Sequence, residues 1–269
     1  MRLILKSAVL VAATFPAAAN AQWRDDAYTS PRNAVVSAGG SRRIEIEASA
    51  GFLKINGVSG SEVRVTGLAR ASRQNLLSEI RLVAERRGEV VYIKADIDDR
   101  RSSYSDWSDN SYRALDLTIE VPANIPVEIE DGSGEIEITG TAGVRLTDGS
   151  GSIDMREIGG PVKIDDGSGE IHLRNVRGDI EINDGSGEIV ARGVTGNLVI
   201  DDDGSGSIEA YDVSGSFAVR NDGSGEIKAD GVGGDLDVRS KGSGGVSYYN
   251  VKGSIRIPDD DRRYRRRIR

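Results

Sequence analysis

Cysteine is absent from this sequence, which removes disulfide staples, thiolate metal sites, a cysteine nucleophile and a lipid-modified cysteine together. Histidine is nearly absent. His172 is the only copy and lies between Ile171 and Leu173, so it faces outward, and one imidazole builds neither a Ser/His/Asp triad nor a paired-histidine zinc site. No cofactor is implied. Beyond the N-terminus no stretch approaches about 18 consecutive apolar residues, so no transmembrane segment is expected. Outward threonine ladders, which an ice-binding solenoid would need, are also missing.

What is present begins with an export signal. Arg2 and Lys6 precede an apolar, small-residue run from Leu3 to Ala19, and Ala19-Asn20-Ala21 fits an A-x-A cleavage site. Residues 1–21 therefore read as a removed signal peptide, and the protein is expected to be bacterial and exported, either periplasmic or extracellular and at the cell surface. Charge is unevenly spread. Residues 22–126 are balanced, residues 127–261 carry 28 acidic and 12 basic side chains, and residues 262–269 carry six arginines and no acid. So acidic a middle argues against nucleic acid as the partner of the repeat body.

The chain is organised around a repeat. Asp-Gly-Ser-Gly occurs at Asp131, Asp148, Asp166, Asp184, Asp203 and Asp222, with a degenerate copy at Lys241, at intervals of 17, 18, 18, 19, 19 and 19 residues. A short, regular period signals stacked units rather than an ordinary globular core. Within each copy the apolar positions fall at offsets 0, 2, 5, 9 and 11, as in Ile171, Leu173, Val176, Ile180 and Ile182. Each pair two apart is a short strand pointing two side chains inward, and the middle residue fills a corner. One such coil leaves both strand edges unpaired, whereas stacked coils pair in parallel. The fold class expected is all-β, a single-stack β-solenoid with two short strands per 17–19-residue rung and a less regular N-terminal β part.

The expected divisions are a leader over 22–42, an N-terminal β region over 43–130, the repeat solenoid over 131–258 and a charged tail over 259–269. Gln22 to Arg32 lacks periodicity and reads as a loose leader. A divergent rung starts at Arg43 to Ile46 and continues through Leu53 and Ile55. Gln74 to Leu77 reads as a short helical turn before two antiparallel strands broken at Gly88. Residues 98–113 form a polar loop carrying Tyr104, Trp107 and Tyr112. Pro258 and the charges after it blunt the terminal edge.

Two readings of the repeated aspartate compete. Calcium-binding β-rolls use a glycine-rich nine-residue motif, and the half period here is also nine residues. Aligning Gly132-Ser133-Gly134 on that motif puts Ile136 where the ligating aspartate belongs. The favoured reading is a structural turn, with Asp131, Asp148, Asp166, Asp184, Asp203 and Asp222 accepting a backbone hydrogen bond two residues on. Weak divalent-cation binding along the stacked carboxylates is the alternative. Lys241 would supply a counter-charge at the end of that ladder. No catalytic or metal-ligating residue is assigned.

Partner contact is assigned to exposed groups. Tyr104, Trp107 and Tyr112 suit recognition of a protein or glycan. Arg262, Arg263, Arg265, Arg266 and Arg267 suit an anionic surface or acidic partner, or else screen the acidic solenoid.

The Ser-Gly-Glu-Ile repeats, the strand ending Ile119-Glu120-Val121-Pro122 and the export signal together resemble the bacterial putative-adhesin family of β-strand repeat proteins, over roughly Ile44 to Ile257. The resemblance implies the fold and brings no catalytic or binding residues. The expected function is a non-enzymatic, monomeric, adhesin-like module at the cell envelope. A carbohydrate-active β-helix enzyme and an envelope-stress scaffold binding another protein are the alternatives.

Overall fold

The computed structural model describes residues 27–97 and 111–258. It is 60% strand with almost no helix, and its coils stack about 19 residues apart in a β-solenoid of about 7 turns. The strands form two 11-stranded sheets, A and B, around one continuous apolar core.

The N-terminal part contains β1 (Tyr28–Ser37), β2 (Arg43–Glu47), β3 (Leu53–Val58) and β4 (Glu62–Ala71). A 3-10 turn over Gln74–Glu79 follows, then β5 (Ile80–Arg87), β6 (Val90–Ile97) and β7 (Arg113–Pro122). The regular coils begin with β8 (Val127–Asp131), β9 (Ile136–Thr139), β10 (Val144–Asp148), β11 (Ile153–Arg156), β12 (Val162–Asp166) and β13 (Ile171–Val176). They continue with β14 (Ile180–Asp184), β15 (Ile189–Val194), β16 (Leu198–Asp203), β17 (Ile208–Val213) and β18 (Phe217–Val219). The last four strands are β19 (Ile227–Val232), β20 (Leu236–Val238), β21 (Val246–Val251) and β22 (Ile255–Arg256).

From β8 onward, odd-numbered strands join sheet A and even-numbered strands join sheet B, each pairing in parallel with the strand two positions away. Register is held by residue identity. Ile136, Ile153, Ile171, Ile189, Ile208 and Ile227 stack in one column, and none is exposed. β-branched side chains suit this pleated, fully enclosed position. A one-residue slip would turn the whole column into water, so the register has no near competitor.

Core volume is traded between the sheets. The second inward position of sheet A shrinks from Ile138, Met155 and Leu173 to Ala191, Ala210 and Ala229. The first inward position of sheet B in the same turns grows from Val144, Val162 and Ile180 to Leu198, Phe217 and Leu236. Close packing requires such a trade, because a small residue facing a small one would leave a void.

The N-terminal end departs from strict stacking. β2 and β3 pair in parallel with β8 and β9 and form a genuine rung, as their apolar spacing predicted. On their other side they pair with β6 and β7, supplied by an excursion of the chain between β3 and β8. Antiparallel strands then finish the stack. β4 and β1 extend sheet A beyond β7, and β5 closes sheet B beside β6. The 3-10 turn, the two antiparallel strands and the break at Gly88 occur where the sequence placed them.

One sequence expectation is corrected here. Much of the stretch read as a loose leader forms β1, paired with β4 along Tyr28–Ser37. The apolar rhythm is hidden because two positions on its less exposed face are Ser30 and Arg32. Arg32 is stabilised there by donating Nε to the Ile80 carbonyl at 3.0 Å and Nη2 to the Leu77 carbonyl at 2.8 Å. Pro31 is tolerated because β1 is an edge strand.

Candidate functional site

The repeated aspartates form a column along one corner of the solenoid, at the exit from sheet B. Their position follows from strand parity. In β10 the inward residues are Val144, Leu146 and Asp148, and the same alternation puts Asp166 and Asp184 inside. Parallel register then stacks Asp131, Asp148, Asp166, Asp184 and Asp203, and a bridge adds Asp222. Asp148 is 4% exposed and Asp203 is 0% exposed.

Asp166 Oδ1 accepts a hydrogen bond from the Ser168 amide at 3.3 Å, and Asp184 Oδ1 from the Ser186 amide at 3.2 Å. That is the two-residue turn bond expected from the sequence. Their Oδ2 atoms, and both oxygens of Asp131, Asp148, Asp203 and Asp222, lack a partner meeting hydrogen-bond geometry among the described residues. The aspartates are therefore more than turn ties; they are enclosed carboxyls facing one another.

Enclosure and mutual repulsion raise their pKa values. Burial pushes Asp131, Asp148 and Asp184 up to about 6, with a neighbouring aspartate adding to the shift in each case. Burial and then the charges of Asp184 and Asp222 push Asp203 to about 7. Asp166 and Asp222 are raised chiefly by burial, and the positive charge of Lys241 moderates Asp222. Burial and the neighbouring carboxylates thus shift each member of the column toward the neutral acid. Among the described residues no group of three or more His, Asp or Glu side chains is placed to hold a metal ion.

The outward faces carry different chemistry. On sheet A, at the outward position three residues after the first inward residue of each strand, Arg156, Arg174 and Arg192 stack in register, preceded by Thr139 and followed by Tyr211, Asp230 and Tyr249. The three arginines are exposed, and Tyr249 is 61% exposed. Arg192 lies over the Tyr211 ring at 4.0 Å, and the Tyr211 hydroxyl donates to Glu209 at 2.6 Å. Sequence reasoning missed this column. The signal was available: Arg156, Arg174 and Arg192 recur every 18 residues at a single repeat offset.

On sheet B a cleft of about 550 Å³ is lined by Arg43, Pro126, Glu128, Arg145, Pro161 and Lys163, among others. Its charges are largely matched internally. Arg43 Nε lies 3.4 Å and Arg145 Nε 4.0 Å from Glu128, and Lys163 pairs with Glu181.

Of the residues expected to contact partners, Tyr112 is 38% exposed, and its amide donates to Ser72 Oγ at 3.1 Å. Tyr104, Trp107, Arg262, Arg263, Arg265, Arg266 and Arg267 lie outside the described residues. His172 faces outward and is half-buried, beside Asp154 and Val190 in the neighbouring strands.

Several solved structures are similar. One described as a putative lipid binding protein from Parabacteroides distasonis is 17% identical, with TM-score 0.47, covering 85% of this chain and 97% of its own. One described as a putative cell adhesion protein from Clostridium sporogenes is 11% identical, with TM-score 0.34, covering 86% and 100%. A putative adhesin from Bacteroides fragilis is 13% identical, with TM-score 0.36, covering 82% and 97%. A search of curated proteins found no match. Residues 71–251, more than half of the chain, match the family described as "Putative auto-transporter adhesin, head GIN domain", and the protein belongs to that family.

Proposed function

We propose that this adhesin-family protein is an exported, non-enzymatic interaction module of the cell envelope, which meets its partners through the outer faces of the solenoid. One observation carries the reading. Carboxyls with strongly shifted pKa values are the usual candidates for acid–base catalysis, yet here they are enclosed in the core. The sheet B cleft is lined by none of them. A substrate would have no route to the groups best tuned to act on it. The accessible surface instead consists of flat columns of polar and charged side chains, which suit recognition rather than turnover. Family membership and the export signal support an envelope location.

The test is photo-crosslinking of the mature protein on intact cells, alongside a turnover screen against polysaccharides. Crosslinks to envelope proteins or glycans, with no turnover, are the expected outcome. Turnover abolished by one carboxylate substitution would establish the enzyme alternative and overturn the reading.

A further inference from the structure

We propose that the outward column of sheet A running through Arg156, Arg174, Arg192, Tyr211 and Tyr249 is a binding track for a linear, carboxylate-bearing polysaccharide. The proposal rests on the interaction-module reading and adds a site and a ligand class to it.

The column is unusual within its own surroundings. Residues 127–261 carry 28 acidic and only 12 basic side chains, yet three consecutive turns place arginine at one register position. Parallel pairing sets these guanidinium-bearing strands about 4.8 Å apart. Like charges directly opposite one another weaken a sheet. The sheet B column offsets its one opposed basic pair, Arg145 and Lys163, with Glu128 and Glu181 on either side. Sheet stability therefore gives no reason for the arginine column.

Its charge is only partly compensated. Arg156 Nη2 donates to Asp154 at 2.5 Å, and Arg192 lies 3.9 Å from Glu209. Arg174, in the middle, makes no ion pair among the described residues, and its neighbour one position over is His172 rather than a carboxylate. The nearby corner carboxylate of Glu157 already accepts from Asn175 Nδ2 at 2.6 Å. Tyr211 is a positioning residue. Its ring holds the Arg192 guanidinium at 4.0 Å, with Lys228 Nζ 5.2 Å from the same centroid. Tyr249, two turns further on, offers an exposed aromatic face in line with the arginines; Asp230, between the two tyrosines, accepts from Asn250 Nδ2 at 2.8 Å and bounds the cationic part of the track at Tyr211.

The geometry selects the ligand class. Guanidinium planes bind carboxylates through paired hydrogen bonds, and an extended uronate chain presents its carboxylates singly along its length. The apolar face of a sugar ring packs on an aromatic such as Tyr249. Duplex DNA carries about one charge per 1.7 Å, far denser than one cation per turn. An anionic membrane needs a broad basic area, whereas this track is one residue wide.

Titration calorimetry on the mature chain tests the proposal, with oligogalacturonate and oligoalginate as probes. Methyl-esterified oligogalacturonate, single-stranded DNA and anionic phosphatidylglycerol vesicles serve as comparisons. Both uronates are expected to bind, more weakly as salt rises, and the ester is expected not to bind. Arg174→Ala should weaken binding by about tenfold or more, and the triple alanine variant at 156, 174 and 192 should abolish it. Arg174→Lys, which keeps charge but loses the paired geometry, should fall between wild type and Arg174→Ala. Arg145→Ala on the other sheet should bind as wild type does, and all variants should keep the wild-type circular dichroism spectrum. Failure to bind either uronate overturns the proposal, as does full binding by the triple variant or tighter binding of DNA or vesicles. Envelope crosslinks that persist in the triple variant would remove this track while leaving the interaction-module reading intact.

Discussion

Asp184 and Asp203 occupy the same register position on β14 and β16, and each is sealed from solvent. With pKa values of about 6 and about 7, they cannot both ionise at neutral pH without charging the core. Protonation of either carboxyl removes the repulsion. The Asp-Gly-Ser-Gly signature thus couples a tight corner to an interior acid.

Replacing one member by its neutral isostere should relieve that repulsion. Asp203→Asn is expected to raise stability at pH 8 by about 1–2 kcal/mol, less than the pKa shift alone implies because neighbouring groups share the charge. Near pH 4.5 the same substitution should change little. The new amide can also donate to the Asp184 carboxylate, as stacked asparagines do in parallel sheets. Urea denaturation at the two pH values measures the difference.

The corner also depends on close backbone approach. Gly187 has φ 147°, and a Cβ there would lie 1.6 Å from the Gly169 carbonyl oxygen of the turn below. Gly187→Ala should therefore cost at least about 3 kcal/mol. At Gly88, φ is 63° and a Cβ meets nothing within 4 Å, so Gly88→Ala should cost only about 1 kcal/mol. Thermal unfolding of the two variants side by side reads the contrast.

Phe217 is the bulkiest fully buried side chain of the core and lies in the turns where sheet A carries Ala191, Ala210 and Ala229. Phe217→Ala should destabilise by about 3–5 kcal/mol. Adding Ala210→Leu to that variant should recover part of the loss, whereas Ala210→Leu alone should overpack the core and destabilise. A double-mutant cycle by chemical denaturation checks both signs.

Much of this fold could be read from spacing. The apolar offsets identified the rungs because isoleucine at a fixed interval has no use outside a stacked interior, and Ile136 to Ile227 occupy one column. The interior placement of Asp148 was harder to see, since aspartate beside glycine is the usual vocabulary of an exposed turn. Counting parity from Val144 through Leu146 would have put it inside. β1 was hidden because Arg32 finds its carbonyl partners only once the 3-10 turn is folded against it. The chain's excursion between β3 and β8 was also hidden, because the short repeat intervals describe neighbours in sequence and this rung's neighbours are distant. The arginine column emerges only when one surface offset is compared across turns.

The enclosed aspartate column is tested most directly by the melting temperature of the mature protein from pH 4 to pH 8. A group whose pKa is raised by folding stabilises fully below its unfolded value, and that stability is lost as pH rises through the folded value. The column therefore predicts falling stability from about pH 4 to about pH 7, through folded values of about 6 to about 7. Glu47, held below the usual range mainly by its hydrogen bonds from Lys94 and Tyr92, acts in the opposite sense, and its contribution is lost in stronger acid. The optimum should lie near pH 4–5, with melting several degrees higher there than at pH 8. A melting temperature that peaks at pH 7–8 and falls steadily toward pH 5 would contradict an enclosed column whose pKa values are raised by folding.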